Sequence, residues 1–476
     1  MIARSDATLA STSDARWRHG LTVAALAAGV LAVLLLLYLA RWHNPQPYRG
    51  DEPHYFVVAN SLLIDGDVDV KNDYLGERYF RYYPYSLDPH VNTNLFTMNS
   101  PHWYPLHGVG LSALLVPAVM LDDTKGASTA MVGVAALLLV LTFLWARRFT
   151  GDVWCSAFAA AALGISPFFL GLEGRIFADL ATAALLLGCL LILELPAWRA
   201  WHLLLLAALI GMSPWFHFKN ALAFGTLALV ALVQIARRTS GGERVRKLLL
   251  LGVPVVLAAV GYELAVRAWY GSWLPTRMIP PGPEAFAISP TRGFAAASFD
   301  AARGVLANNL ALMLIWAGLP VWLIRWRYPF VRLMLIIGPA ILVQATFNNW
   351  HGGFAPPGRY ALQYTPALIP AIAILLREAP RAFRVFAGAL FGIQFAVAAA
   401  FMWLRPAWAI EGFPSPFLTA LDAKLGWTIE RAMPAFDPRA ALVRGGWQLA
   451  GWLAVSAVLF AYGVRLSRRR VHDLPG

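Results

Sequence analysis

Two adjacent carboxylates, Asp51 and Glu52, stand at the head of Gly50-Asp51-Glu52-Pro53-His54-Tyr55. The apolar residues that follow (Tyr55, Phe56, Val58, Ala59, Leu62, Leu63) recur at helical spacing. Asp51 suits the N-cap of that helix and Pro53 its first turn. The chemical alternative is that Asp51 is a general base at the bilayer surface, placed to take a proton from an acceptor hydroxyl. Other polar groups also sit beside apolar runs: His107 in Pro101-His102-Trp103-Tyr104-Pro105-Leu106-His107-Gly108, then Glu173, Arg175 and Asp179, Lys219, and Arg359-Tyr360. Ionisable groups at the edge of hydrocarbon are costly and default to functional candidates, although snorkelling to headgroups is the plainer reading of any single one. Three cations on separate elements fit an anionic ligand, and arginine suits phosphate through its two-pronged donor geometry. The run Asp65-Gly66-Asp67-Val68-Asp69 begins like a calcium loop, but Val70 replaces the required glycine and Gly76 the closing glutamate, so it reads as a solvated turn. Phosphate-binding glycine loops, zinc-protease helices, serine-hydrolase elbows and paired CxxC motifs do not occur.

The elements that position these groups are transmembrane. Of 476 residues 59% are hydrophobic and 14% charged, and apolar stretches long enough to cross the bilayer recur along the chain. The first, Leu21 to Ala40, follows an arm bearing Arg4, Arg16 and Arg18 and reads as an uncleaved anchor. Further spans are expected at 128–146, 153–170, 177–195, 202–216, 221–236, 248–268, 306–324, 331–347, 361–376, 383–403 and 447–465. The fold class is therefore all-α, a bundle of about a dozen membrane helices. The net charge of +13 reflects positive-inside bias rather than nucleic-acid binding. Cys155 and Cys189 lie in apolar runs and imply no disulfide framework.

Polarity turns on the short apolar run 106–121. If it stays outside as a re-entrant or surface helix, the basic clusters at 147–148, 199, 237–247, 325–327, 377–381 and 465–470 all fall on the cytoplasmic side. Both termini are then cytoplasmic. Three units follow from this: an arm at 1–20, a catalytic membrane module at 21–268 with an outer loop at 41–127, and a C-terminal membrane module at 269–476 with outer loops at 269–305, 348–360 and 404–446. The outer loops carry the candidate chemistry.

An outer loop opening on Asp51-Glu52, Arg175-x-x-x-Asp179, Lys219 after a helix, and a late Gly358-Arg359-Tyr360 together resemble the C-type membrane glycosyltransferases (GT-C). That family includes protein O-mannosyltransferases and bacterial aminoarabinose transferases. The resemblance is best over residues 1–230 and returns at 269–276 and 350–370. It departs at His54-Tyr55, where the aminoarabinose enzymes carry Arg-Tyr. It implies an inverting transferase that moves a sugar from a polyprenyl-phosphate donor to a lipid, glycan or protein acceptor on the periplasmic face of a bacterial inner membrane. It implies that Asp51, with Glu52 beside it, is catalytic. His54, Tyr55, His107, Arg175, Asp179, Lys219, Arg359 and Tyr360 would bind substrate, with Lys219 and Arg359 gripping the lipid phosphate. No cofactor is required, and a divalent metal on Asp51 and Asp179 stays open. The partners are then donor, acceptor and membrane lipids, with no nucleic acid. A secondary transporter or lipid flippase is the alternative, for which two related halves and broken midplane helices would be expected.

Overall fold

Segments without charge for twenty residues have nowhere to satisfy their backbone in lipid except within themselves, and they fold accordingly as helices. The computed structural model describes residues 48–91, 100–273, 286–353, 355, 357–404 and 415–469. The expected anchor at 21–40 and the arm at 1–20 lie outside these residues, as do parts of the loops 269–305 and 404–446.

The first described segment contributes α1 (Glu52–Ile64) and α2 (Lys71–Leu75). Then come α3 (Gly110–Thr150), α4 (Val153–Gly164), α5 (Pro167–Leu172), α6 (Ala178–Leu193), α7 (Ala200–Phe216), α8 (Asn220–Arg238) and α9 (Gly241–Tyr270). The second half holds α10 (Pro290–Phe299), α11 (Leu314–Arg325), α12 (Arg327–Ala345), α13 (Thr365–Leu368), α14 (Pro370–Glu378), α15 (Arg381–Leu404), α16 (Pro416–Leu425) and α17 (Gly446–Arg469). Helices α3, α8, α9, α12, α15 and α17 are long and apolar enough to cross a membrane, and α4, α6, α7 and α11 are shorter apolar helices. The chain is a multi-pass helical membrane protein.

Proline and aspartate shift the expected boundaries. The apolar run 106–121 becomes the first arm of α3, which breaks at Asp122 and Asp123, where φ reaches 47°. The arms fold so closely that Gly126 lies against the carbonyl of Ala118, leaving no room for a side chain there. The span expected at 153–170 is cut at Ser166-Pro167, where Ser166 caps α5. That expected at 361–376 is a 3₁₀ turn (Tyr360–Gln363) followed by α13 and α14, because Pro366 and Pro370 each remove a helical donor. Among the described residues the all-α expectation holds except for a two-stranded antiparallel hairpin, Ala435–Phe436 with Leu442–Arg444, between α16 and α17.

Burial separates the core helices from the lipid-facing ones. In α6 nearly every residue is buried, whereas α9 and α17 keep most of their apolar surface outward. A wholly apolar helix that is wrapped by others is a bundle centre, and α6 carries Asp179 in its first turn.

Candidate active site

The candidate residues meet where helices begin. Asp51 precedes α1, Asp179 lies in the first turn of α6, Lys219 precedes α8, and Arg359 precedes the 3₁₀ turn Tyr360–Gln363. Helix N-termini present partial positive charge and unpaired N–H groups, a setting that favours anions.

Asp51 occupies the N-cap position but makes no capping bond. Its carboxylate turns inward instead: Oδ2 lies 2.6 Å from Arg359 Nη2, and Oδ1 lies 3.5 Å from His107 Nε2. Arg359 donates from Nε to Asp179 Oδ2 at 2.8 Å. Asp179 Oδ1 accepts from Gln363 Nε2 at 2.7 Å and faces Lys219 Nζ at 3.5 Å. The result is an alternating chain, Asp51–Arg359–Asp179–Lys219, of two carboxylates and two cations. Aromatic faces complete it: the Lys219 ammonium lies 4.0 Å from the Tyr360 ring centre and the Arg359 guanidinium 4.3 Å from that of Phe177.

Glu52 has a different environment. It is fully buried, accepting from Arg175 Nη1 at 2.5 Å, from the Ile176 N–H at 3.1 Å and from the Arg49 N–H at 3.1 Å. The pair fastens the loop that carries Asp51 to the turn before α6, close to Asp179. His54 donates or accepts at Nδ1 with the Tyr74 hydroxyl, 2.7 Å away. Tyr55 packs its ring against His107, with ring centres 5.2 Å apart.

Two members of the site had no local signal in the sequence. Gln363 becomes visible only once the 3₁₀ turn places it one turn beyond Arg359. His90 is brought to His107 by a backbone bridge between Val91 and Pro105 and by the Leu106 N–H to His90 carbonyl bond at 3.0 Å. The two rings then meet with His107 Nε2 and His90 Nδ1 3.0 Å apart. His107 itself is held by glycine. Gly108 packs on the Trp215 carbonyl, and a Cβ on Gly110 would lie 2.8 Å from the Trp215 carbonyl carbon. Arg359 depends on Gly358 in the same way. There φ is +69° and a Cβ would meet Val305 Cγ2 at 2.8 Å.

Electrostatics follow from burial among these charges. Burial alone would raise the pKa of Asp51, but Arg359, with His107 and His90 adding to it, holds the carboxyl well below its usual range. Burial, reinforced by Arg359, pulls Lys219 down to about 8 although Asp179 opposes this. Burial also lowers His107 to about 4 and depresses His54 and His90. Burial thus biases the three imidazoles toward the neutral form, while Arg359 keeps Asp51 ionised.

A crystal structure of ArnT from Cupriavidus metallidurans bound to undecaprenyl phosphate superposes on the chain with a TM-score of 0.51. The match covers 93% of this chain and 77% of that one, at 14% sequence identity. The chain therefore shares the fold of that ArnT structure. The apo oligosaccharyltransferase of Archaeoglobus fulgidus matches over 93% of this chain and 56% of its own, at 15% identity and a TM-score of 0.41. The mycobacterial arabinofuranosyltransferase AftD matches over 82% and 27%, at 18% identity and 0.46. No family model and no curated protein matches the sequence.

Within this fold the expected metal pair, Asp51 and Asp179, is bridged by Arg359. Both oxygens of Asp179 are engaged by Arg359, Gln363 and Lys219. Among the described residues, donor atoms of Asp51, His90 and His107 gather within 4.8 Å of one another.

Proposed function

We propose that the protein is an inverting glycosyltransferase that moves a sugar from a polyprenyl-phosphate donor to an acceptor on the periplasmic side of a bacterial inner membrane. The observation that carries the reading is the Asp51–Arg359–Asp179–Lys219 chain, built at helix ends on a GT-C fold. ArnT, whose fold the chain shares, was crystallised with undecaprenyl phosphate, which supports a lipid phosphate as the anionic ligand.

The chemistry needs one displacement. The acceptor hydroxyl gives its proton to Asp51 while its oxygen attacks the anomeric carbon of the donor sugar. The bond from that carbon to the phosphate oxygen breaks, and the leaving polyprenyl phosphate takes the electron pair. Its charge rises from one to two negative units, and Arg359 and Lys219 neutralise the increase as it develops. Attack from the face opposite the leaving group inverts the anomeric centre, and no covalent enzyme intermediate is required.

Arg359 links the two halves of this scheme. Before the donor binds, it suppresses the basicity of Asp51. When the phosphate engages the guanidinium, Asp51 loses part of that stabilisation and burial raises its pKa toward a useful value. The base is thereby active only beside a bound donor. Incubating the purified chain with polyprenyl-phosphate sugars and a membrane extract, then reading the anomeric configuration of the product by NMR, tests the proposal. Inverted product supports it; retained configuration, or no transfer from any donor, sinks it.

A further inference from the structure

We infer that Asp51, His90 and His107 form a binding site for one divalent transition-metal ion of the Zn2+ class, with a coordination position left open toward the acceptor. A tetrahedral ion with bonds of about 2.0–2.1 Å holds its ligand atoms roughly 3.3 Å apart. Here His107 Nε2 lies 3.0 Å from His90 Nδ1 and 3.5 Å from Asp51 Oδ1, values on either side of that spacing. All three ligand atoms fall within 4.8 Å of one another. Two imidazoles and one carboxylate are the nitrogen and oxygen donors that zinc-class ions take, and three protein ligands with a vacant fourth is the pattern of a reactive rather than a structural site.

The surroundings are built for this arrangement. Arg359 holds Asp51 by Oδ2, so Oδ1 is the oxygen turned to the histidines. The Tyr74 hydroxyl bonds His54 Nδ1 at 2.7 Å and accepts from the His90 N–H at 3.4 Å, fixing the backbone that carries one ligand. The His54 ring packs edge-on against His90, with centres 4.6 Å apart, and restricts its rotation. The Val91–Pro105 bridge holds the segments bearing the two ligand histidines side by side. At 3.0 Å the two imidazole nitrogens are in hydrogen-bonding contact, and an ion placed between them would replace the bridging proton. Bound there, it would acidify a hydroxyl placed at its open position, next to the carboxylate that the transfer chemistry uses.

This site stands on the ligand geometry, and metal uptake is read without sugar transfer, so its failure leaves the transferase reading untouched. The full chain, purified in detergent without a polyhistidine tag and stripped with chelator, is titrated with Co2+ and followed by visible absorption and by elemental analysis. One Co2+ per chain is expected, with the intense d–d bands of a four- or five-coordinate ion. His90→Gln and His107→Asn should each weaken uptake at least tenfold. His102→Gln, which alters an exposed histidine paired with Asp69, should leave it unchanged. X-ray absorption on the Zn2+-loaded wild type needs no variant and should show scattering from two imidazoles together with oxygen. Absence of stoichiometric uptake by the wild type, a first shell lacking imidazole, or undiminished uptake in both ligand variants overturns the site.

Discussion

Asp51→Asn separates catalysis from folding, because the structure gives Arg359 a second anchor. The substitution preserves volume and removes one carboxylate, yet the guanidinium keeps Asp179 at 2.8 Å and the Phe177 face at 4.3 Å. Stranding a buried charge outright costs about 3–5 kcal/mol. A shared partner reduces the loss to that of a charged hydrogen bond, about 1.5–3 kcal/mol. Catalysis has no such reserve. Loss of a general base lowers the rate by about 10²–10⁴, equivalent to about 3–5 kcal/mol in the barrier. Donor binding should move the other way, since Arg359 released from Asp51 meets the phosphate without competition. The assay pairs single-turnover transfer with equilibrium binding of polyprenyl phosphate to the same detergent-purified protein. Expected is transfer lost by at least a hundredfold, with the lipid phosphate bound as tightly as by wild type or more so. Transfer within tenfold of wild type would refute the base. Weaker binding of the phosphate in parallel with lost transfer would refute the claim that Asp51 and the phosphate compete for Arg359.

Glu52→Gln should destabilise the fold by about 1.5–3 kcal/mol, the worth of the charged hydrogen bond it makes to buried Arg175; thermal aggregation followed by size-exclusion chromatography reads this. Lys219 is charged below its pKa of about 8 and neutral above, so the KM for donor should rise as pH passes 8, and Lys219→Arg should flatten that limb. Gly358→Ala forces a Cβ into a left-handed backbone 2.8 Å from Val305, at a cost of about 1–2 kcal/mol, and should weaken donor binding by displacing Arg359.

Much of the bundle was legible because hydrocarbon enforces one periodicity over long runs. The spans expected at 202–216 and 221–236 coincide with α7 and α8 to within two residues. Prolines and aspartates inside apolar runs obscured the rest. The residues 361–376 are uncharged and mostly apolar, yet Pro366 and Pro370 divide them, and Gln363, in the 3₁₀ turn before α13, reaches Asp179. Charges at helix ends were readable singly, since each is conspicuous against an apolar background. Their pairing was not, because the partners are 180 residues apart for Arg359 and Asp179. For the same reason Glu52 read as a partner of Asp51, though its carboxylate is committed to Arg175 on another element. His90 was hidden most completely, as an isolated histidine in a loop whose bridge from Val91 to Pro105 leaves no periodic trace.

The charge count explains why the site is assembled as an alternating chain instead of a cationic pocket. Lys219 and Arg359 exposed alone to a low-dielectric helix junction would each carry a desolvation penalty of several kcal/mol. Interleaving them with Asp179 and Asp51 brings the sum to zero and holds each group in place without a ligand. A phosphodiester donor adds one negative charge to a balanced set, so something must yield. The contact most exposed to substitution is Arg359 with Asp51, because Asp51 retains side-chain exposure of 19% whereas Asp179 retains 2%. Asp179 therefore acts as the fixed counter-ion that keeps both cations oriented. In the proposed mechanism Asp51 is the member that donor binding releases, and that release converts a paired carboxylate into a base. On this logic Asp179→Asn should fail differently from Asp51→Asn. It unfastens Lys219 and Arg359 together, so stability and donor affinity should fall at once, and transfer should decline only as far as donor binding does.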